Sequence, residues 1–293
     1  MRKIKGIILA GGLGSRLYPL TYAVTKHLLP VYDKPMIYYP LSTLINAGIR
    51  DILIITTKED KPQFFRLLEN GKKFGINISY EIQSKPNGIA ESMLIGADFI
   101  GNSNIVLILG DNIFYGSGLD NSINEAKKNL SDGYSTIFGV DVDNPSDFGV
   151  IDFDKSLRVK NIEEKPIKAK SKTIVSGIYF YTNDALRIAT NLKPSKRGEL
   201  EITDLNNMFL KQEKLKLIRL DPSISWIDTG TYSSLVKASA FFQNLEKKTK
   251  VKFACVEEIS FKKGYIDKKG LLNISKSMKG SDYGKYLNKV LQQ

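Results

Sequence analysis

The chain has 293 residues, 42% of them apolar and 25% charged, which excludes a disordered or fibrous polypeptide and allows either one large α/β domain or two ordinary ones. Lysine and arginine outnumber aspartate and glutamate by 43 to 31, and the net charge of +12 suits an anionic partner; yet the lysines are spread along the chain, no basic helix is interleaved with aromatics, and no nucleic-acid partner is expected. A single cysteine, Cys255, and a single histidine, His27, exclude internal disulfides, cysteine zinc sites, histidine triads and HExxH metal sites.

The first apolar run, 5–10, predicts a buried strand that opens into a glycine-rich turn. It is too short for a signal-peptide core, and no later run is long enough to span a bilayer. A cytoplasmic protein without a membrane partner is therefore expected. Pro35 is placed to start a helix reaching Ala47, with Gly48 where a C-terminal cap belongs. Strands are predicted at 52–56, 76–82 and 105–109, with helices around 64–68 and over 90–99. Continuous β-branched runs separated by helices imply a largely parallel sheet covered on both faces. Ligands of such sheets sit beyond the carboxyl ends of the strands, which directs attention to residues 11–16 and to Asp111.

The middle of the chain reads differently. Residues 149–154 and 159–162 alternate like a hairpin, 174–181 is a further strand, and 202–213 a helix. Trp226 closes a short strand before Asp228, 233–245 is helical, and the remaining tail is expected to be mostly helical. Cys255 lies in an apolar stretch and reads as a small buried hydrophobe. One domain with a helical C-terminal extension is the economical organisation.

The strongest local signal is Leu9-Ala10-Gly11-Gly12-Leu13-Gly14-Ser15-Arg16-Leu17. Glycines after a buried strand let backbone N–H groups approach an anion, and Arg16 adds a fixed, forked charge. The third glycine of a dinucleotide fingerprint would fall at Leu17, and no Gly-Lys-Ser/Thr follows as in a Walker A loop. Taken alone, the segment is also compatible with a plain tight turn. Lys26, one short segment later, is a credible second cation for a triphosphate. Asp111 and Asp228 both end apolar runs, and two such carboxylates could share a hard cation such as Mg²⁺ together with phosphate oxygens. In Glu163-Glu164-Lys165-Pro166 a carboxylate suited to sugar hydroxyls stands beside an ammonium suited to a sugar phosphate; an exposed charged turn is the plain alternative.

Together these segments closely resemble the glucose-1-phosphate thymidylyltransferases, within the wider sugar nucleotidyltransferase family. The resemblance runs over nearly the whole chain. It includes the glycine loop with Arg16, Lys26, Tyr32-Asp33-Lys34-Pro35-Met36, Gly110-Asp111-Asn112-Ile113-Phe114-Tyr115-Gly116, Arg197-Gly198-Glu199, Trp226-Ile227-Asp228-Thr229-Gly230 and Ala254-Cys255-Val256-Glu257-Glu258. It implies a Rossmann-like three-layer α/β/α sandwich with a mostly parallel mixed sheet. Residues 1–240 would form the catalytic domain, and 241–293 a helical extension with an oligomer or regulatory surface.

By the same likeness, Leu9, Ala10, Gly11, Gln83 and Gly88 would line the base and deoxyribose pocket, with Gly12, Gly14 and Ser15 completing the nucleotide loop. Arg16 and Lys26 would hold the phosphates. Gly149, Glu164, Lys165 and Val175 would hold the sugar phosphate, and Asp111 with Asp228 would bind Mg²⁺. The implied reaction condenses dTTP with glucose 1-phosphate to dTDP-glucose and pyrophosphate, the first step of a dTDP-rhamnose type pathway. Homotetramers and end-product inhibition at a second site are common in that family. The sequence departs from the pattern at Ser15, His27, Phe148 and Ile89-Ala90-Glu91-Ser92, where Thr, Gln or Ser, Tyr and Leu-Ala-Gln-Ala are more usual. Three other readings stay open: the same chemistry with another triphosphate such as UTP, a dinucleotide-dependent oxidoreductase, and a non-catalytic nucleotide-sensing module.

Overall fold

Residues with β-branched or long aliphatic side chains on both faces of a strand favour its interior position in a sheet. A computed structural model describes residues 2–292 and contains, in chain order, β1 (Ile4–Ala10), β2 (Pro30–Val31), β3 (Lys34–Pro35), β4 (Asp51–Thr56), β5 (Asn77–Ile82), β6 (Asn104–Leu109), β7 (Asn112–Tyr115), β8 (Ser135–Asp141), β9 (Gly149–Phe153), β10 (Val159–Glu164), β11 (Thr173–Tyr181), β12 (Leu215–Arg219) and β13 (Ser225–Asp228). The main sheet has the order β10-β9-β11-β6-β1-β4-β5, with β8 also paired to β11 and β12 to β8. The pairs β1/β4, β1/β6, β4/β5 and β8/β12 are parallel, while β11 runs antiparallel to β6, β8 and β9.

Successive side chains of a strand point to opposite faces, and here they feed two separate cores. Ile8, Ile52, Ile54, Val106 and Ile108 pack under the helices Tyr38–Asn46, Lys61–Leu68 and Leu119–Ser131. Their neighbours Ile7, Leu53, Ile55, Ile105 and Leu107 face the helices Asp184–Thr190 and Ile202–Lys211 on the other side. The architecture is thus the three-layer α/β/α sandwich with a mixed sheet that the sequence implies. Four helices follow β13, at Tyr232–Thr249, Val256–Lys262, Lys268–Ser277 and Asp282–Val290, and the first of them crosses residue 240 without a break. Among the described residues no helix is long and apolar enough to cross a membrane.

Two expected helices differ. The helix placed from Pro35 starts at Tyr38 instead, because the Met36 and Ile37 N–H groups donate back to Leu29 O at 2.9 Å and His27 O at 2.8 Å, which makes residues 30–35 a small hairpin. The helix expected over 90–99 divides into Glu91–Ile95 and Ala97–Ile100 at Gly96, where a Cβ would approach Leu53 and Ile7 on the sheet to 3.1 and 3.4 Å. The strands β7, β8 and β12 and the helices Leu119–Ser131 and Asp184–Thr190 have no counterpart in the sequence reading.

The C-terminal helices are tied to the sheet domain by buried polar groups. Lys34, 2% exposed, donates to Glu246 Oε1 at 2.9 Å and contacts Asp33, while Lys252 reaches Asp33 and Glu246 Oε2. Beside this four-charge cluster, the fully buried Glu257 accepts from Tyr38 Oη at 3.2 Å and Tyr283 Oη at 2.6 Å. Cys255 is buried as expected, its thiol pushed up by burial and by Glu257.

Burial likewise pushes the Glu257 carboxyl above its ordinary 4.5, against the opposing hydrogen bonds from Tyr283 and Tyr38. A carboxyl that binds its proton more tightly when folded contributes stability below 4.5, and that contribution is lost as pH rises through the raised native value. Glu257→Gln, neutral at every pH, is therefore expected to flatten the decline of melting temperature on the alkaline side of 4.5. A series of thermal melts between pH 5 and 8 checks this, and an unchanged slope would contradict it.

Candidate active site

Strand β1 lies between β4 and β6, so the connections after β1 and β6 leave the sheet in opposite directions and open a crevice at their carboxyl ends. Residues 11–17 occupy one wall. Gly14 has φ 64°, and a Cβ there would meet Thr21 and Lys26 at 3.0 and 3.1 Å, so glycine suits both the left-handed backbone and the close approach. Leu17 is fully buried and anchors the 3₁₀ turn Ser15–Leu17, while Gly12, Ser15 and Arg16 remain exposed toward the crevice. Leu9 and Ala10 supply the floor at the end of β1.

Asp111 emerges from β6 after Gly110, on the opposite wall. Its main-chain oxygen accepts from Thr229 N at 3.1 Å and Thr229 Oγ1 at 2.7 Å. The β7/β13 ribbon pairs Asn112 with Asp228, which brings the second predicted carboxylate alongside the first. Asp228 accepts from Gly230 N at 2.9 Å, and the Arg16 guanidinium packs against Gly230, where a Cβ would lie 2.5 Å from it. Lys26, 8% exposed, contacts Asp111 Oδ2 directly. One cluster therefore joins Arg16, Lys26, Asp111 and Asp228.

Its electrostatics are uneven. Burial opposes charge on Asp111, but Lys26 and the hydrogen bond from Asn112 Nδ2 at 2.9 Å hold the carboxyl down to about 2. Asp228 is pushed up by burial and then by Asp111, with Lys26 and Arg16 offsetting only part. Two adjacent carboxylates, one of them destabilised as an anion by the other, form a hard-oxygen donor pair that matches a divalent cation. His27 does not add charge: burial, then Lys26, lower its pKa to about 3, against the opposing effect of Asp111. The neutral ring packs under Gly110, where a Cβ would lie 2.7 Å from it, so this departure from the family pattern is a packing element.

At one end of the crevice, Gln83 closes β5 with its N–H on Thr56 O at 2.8 Å. A Cβ on Gly11 would lie 2.5 Å from Gln83 Oε1, and Gly88, at φ 106°, presses so closely on Leu200 that a Cβ would meet its carbonyl at 2.3 Å. At the other end, Gly149 and Glu164 face each other across the β9/β10 hairpin. Thr203 Oγ1 donates to Glu164 Oε2, and Arg197 approaches Glu164 Oε1 at 3.6 Å while forking onto both oxygens of Glu201 at 2.9 Å. Lys165 has φ 44° with its N–H on Phe148 O, a strained turn that leaves its side chain exposed. Val175 is buried at the edge of the irregular stretch of β11, one residue past the Ile174–Val150 pair, and packs within the apolar core. The buried Tyr179 hydroxyl is pushed up by burial, then by Glu164 and by Asp111.

Of the residues singled out in the sequence, the structure joins Arg16, Lys26, Asp111 and Asp228 in one cluster, sets Gln83 against Gly11, and pairs Gly149 with Glu164, while Val175 packs in the apolar core. Arg197, Asn112 and Trp226 lie in segments that carry the family resemblance, but no site role was expected of them or of Thr203. Asn112 Oδ1 accepts from Trp226 Nε1 at 2.6 Å and packs on Gly177, and Trp226 meets Phe148 edge-on at 5.5 Å. The linear signals for Arg197 are its place in a segment that carries the family resemblance and its spacing to Glu199 and Glu201. Chemically, the crevice offers fixed cations and backbone donors on one wall, a carboxylate pair on the other, and an acceptor-rich end suited to a polyhydroxyl ligand.

The sequence profile of the family described as nucleotidyl transferase matches residues 5–244. A glucose-1-phosphate thymidylyltransferase of Neisseria meningitidis serogroup A is 48% identical over 290 residues, covering 99% of this chain and 100% of the relative. One from Mycolicibacterium smegmatis is 49% identical, again covering 99% of this chain and 100% of the relative. A solved Bacillus anthracis structure described under the same enzyme name, in complex with sucrose, superposes with a TM-score of 0.75 at 42% identity, over 81% of this chain and 94% of the other.

Proposed function

The chain belongs to the nucleotidyl transferase family, and from that premise we propose that its crevice condenses dTTP with glucose 1-phosphate to give dTDP-glucose and pyrophosphate. The observation that supports this most is the meeting of Arg16, Lys26, Asp111 and Asp228 between a Gln83–Gly11 end and a Glu164–Thr203 end. Those three parts match a triphosphate flanked by a base and a sugar.

In the reaction, an oxygen of the sugar phosphate attacks the α-phosphorus in line. The bond from that phosphorus to the oxygen it shares with the β-phosphorus breaks, and that oxygen leaves with pyrophosphate. The nucleophile is already an anion at neutral pH, so no side chain has to remove a proton. What the protein supplies is alignment of two anions and fixed positive charge. Gly12, Gly14 and Ser15 present backbone N–H groups to the phosphates, Arg16 and Lys26 bear on them as cations, and Lys165 holds the sugar phosphate beside Gly149 and Glu164. Val175 backs the sugar end. Mg²⁺ fits the oxygen pair of Asp111 and Asp228, and when bound it neutralises phosphate charge.

Pyrophosphate release, measured with Mg²⁺, glucose 1-phosphate and each triphosphate separately, tests the assignment; release is expected to be fastest with dTTP. Faster release with UTP would keep the chemistry and move the specificity. Arg16→Ala is expected to lower kcat by about 100-fold, the scale for loss of one preorganised donor to a developing oxyanion, with an unchanged circular-dichroism spectrum. Near-normal turnover in that folded variant would remove Arg16 from the phosphate site. Homotetrameric assembly in the cytoplasm, with residues 241–293 on the assembly or regulatory surface, belongs to the same reading and rests on the family likeness.

A further inference from the structure

Gln83 is the amide side chain that lies against Gly11 at the base end, and the way it faces decides what that end recognises. Its Nε2 donates to Glu91 Oε2 at 2.9 Å and to the Gly88 carbonyl at 3.3 Å. The other carboxylate oxygen of Glu91 accepts from Asn87 Nδ2 at 2.8 Å. Both partners of Nε2 are acceptors only, so turning the amide over would set its oxygen against a carboxylate and a carbonyl. The amide oxygen is thereby committed to the opposite side, where it lies against the Cα hydrogens of Gly11.

We infer that Glu91 is a positioning residue for nucleobase selectivity, holding the Gln83 oxygen toward the ligand so that the site accepts a pyrimidine with an N3–H donor and rejects cytosine, whose N3 is an acceptor. The inference rests on the base-pocket reading above. Glu91 touches neither the phosphates nor the sugar in that reading, so its loss bears on which nucleotide binds and leaves the chemical step alone. It also stands at a point where the sequence departs from the thymidylyltransferase pattern, with a carboxylate in place of an amide. A carboxylate has no donor to offer Gln83, whereas an amide there can present either edge.

The test compares kcat/KM for dTTP and dCTP in the full-length enzyme. Glu91→Ala is expected to lower the dTTP to dCTP ratio about tenfold, the scale of one misdirected hydrogen bond, through KM and with kcat within about twofold. Glu91→Gln, whose carbonyl still accepts from Nε2, should retain most of the ratio. Glu91→Lys replaces the acceptor by a donor, draws the Gln83 oxygen away from the ligand, and should lower the ratio at least as far. An unchanged ratio in both Glu91→Ala and Glu91→Lys overturns the inference, as does a fall in kcat and melting temperature without a change in ratio. Gln83→Ala separates the two levels. If it too leaves the ratio unchanged, the base-pocket reading fails; if it alone collapses the ratio, only the role of Glu91 fails.

Discussion

Asp111→Asn is expected to reduce turnover by about a thousandfold, roughly 4 kcal/mol of transition-state stabilisation, while the protein stays folded. The substitution keeps the shape of the side chain and the main-chain acceptor used by Thr229, so the β7/β13 ribbon retains its attachment. What it removes is charge. Native Asp111 is held down to about 2 and is an anion at any working pH. Asparagine takes one hard oxygen from the pair proposed for Mg²⁺ and leaves Lys26 without its direct partner. Asp228 remains nearby as a carboxylate, which limits the cost of the buried ammonium to the fold. Kinetics over a Mg²⁺ series, set beside a thermal melt, distinguish these effects. Turnover within a few-fold of the native protein would sink the placement of the metal.

A second large effect is expected far from that carboxylate. Lys34→Met should destabilise the fold by about 3 kcal/mol, at the low end for breaking a buried ion pair by removing one partner. The ammonium is almost fully buried between Asp33 and Glu246 and lies 5.8 Å from the centre of the Tyr283 ring. Removing it leaves two carboxylates facing Lys252 alone, and the Phe253 N–H still serves Glu246 Oε1 at 3.1 Å. Those surviving partners are why the low end applies. For a chain of this size the melting temperature should fall by roughly 6–12 °C. Adding Glu246→Leu to Lys34→Met should recover part of the loss, because the excess negative charge goes with it. A double variant less stable than the sum of the two singles would show that the cluster is not coupled in this way.

The parts of the fold that were legible in the sequence are those whose signal is local. Buried strands announce themselves as β-branched runs, and the glycine loop lies in one continuous segment after β1. Asp111 and Asp228 could be picked out because each ends an apolar run. The start of the helix at Tyr38 was not legible, since hydrogen bonds back to Leu29 and His27 outweigh the helix-starting preference of Pro35. The break at Gly96 reflects close packing on Leu53 and Ile7, which no periodicity records. Arg197 and Thr203 reach Glu164 only through the packing of the helix Ile202–Lys211 against β10. The orienting bond from Glu91 to Gln83 likewise spans a turn whose shape depends on Gly88 and Leu200.

The β7/β13 ribbon has a consequence for the order in which the molecule becomes competent. Its two strands are distant in the chain, and its pairing is what sets Asp228 beside Asp111. While the polypeptide is being synthesised, the glycine loop, Arg16, Lys26 and Asp111 emerge long before Asp228 does. The acidic pair cannot form until residues 225–228 have been made and β13 has paired with β7. Catalytic competence then arrives late, as a sign that the sheet is finished, and a ribosome-bound fragment ending before Ser225 would have the loop without the reaction.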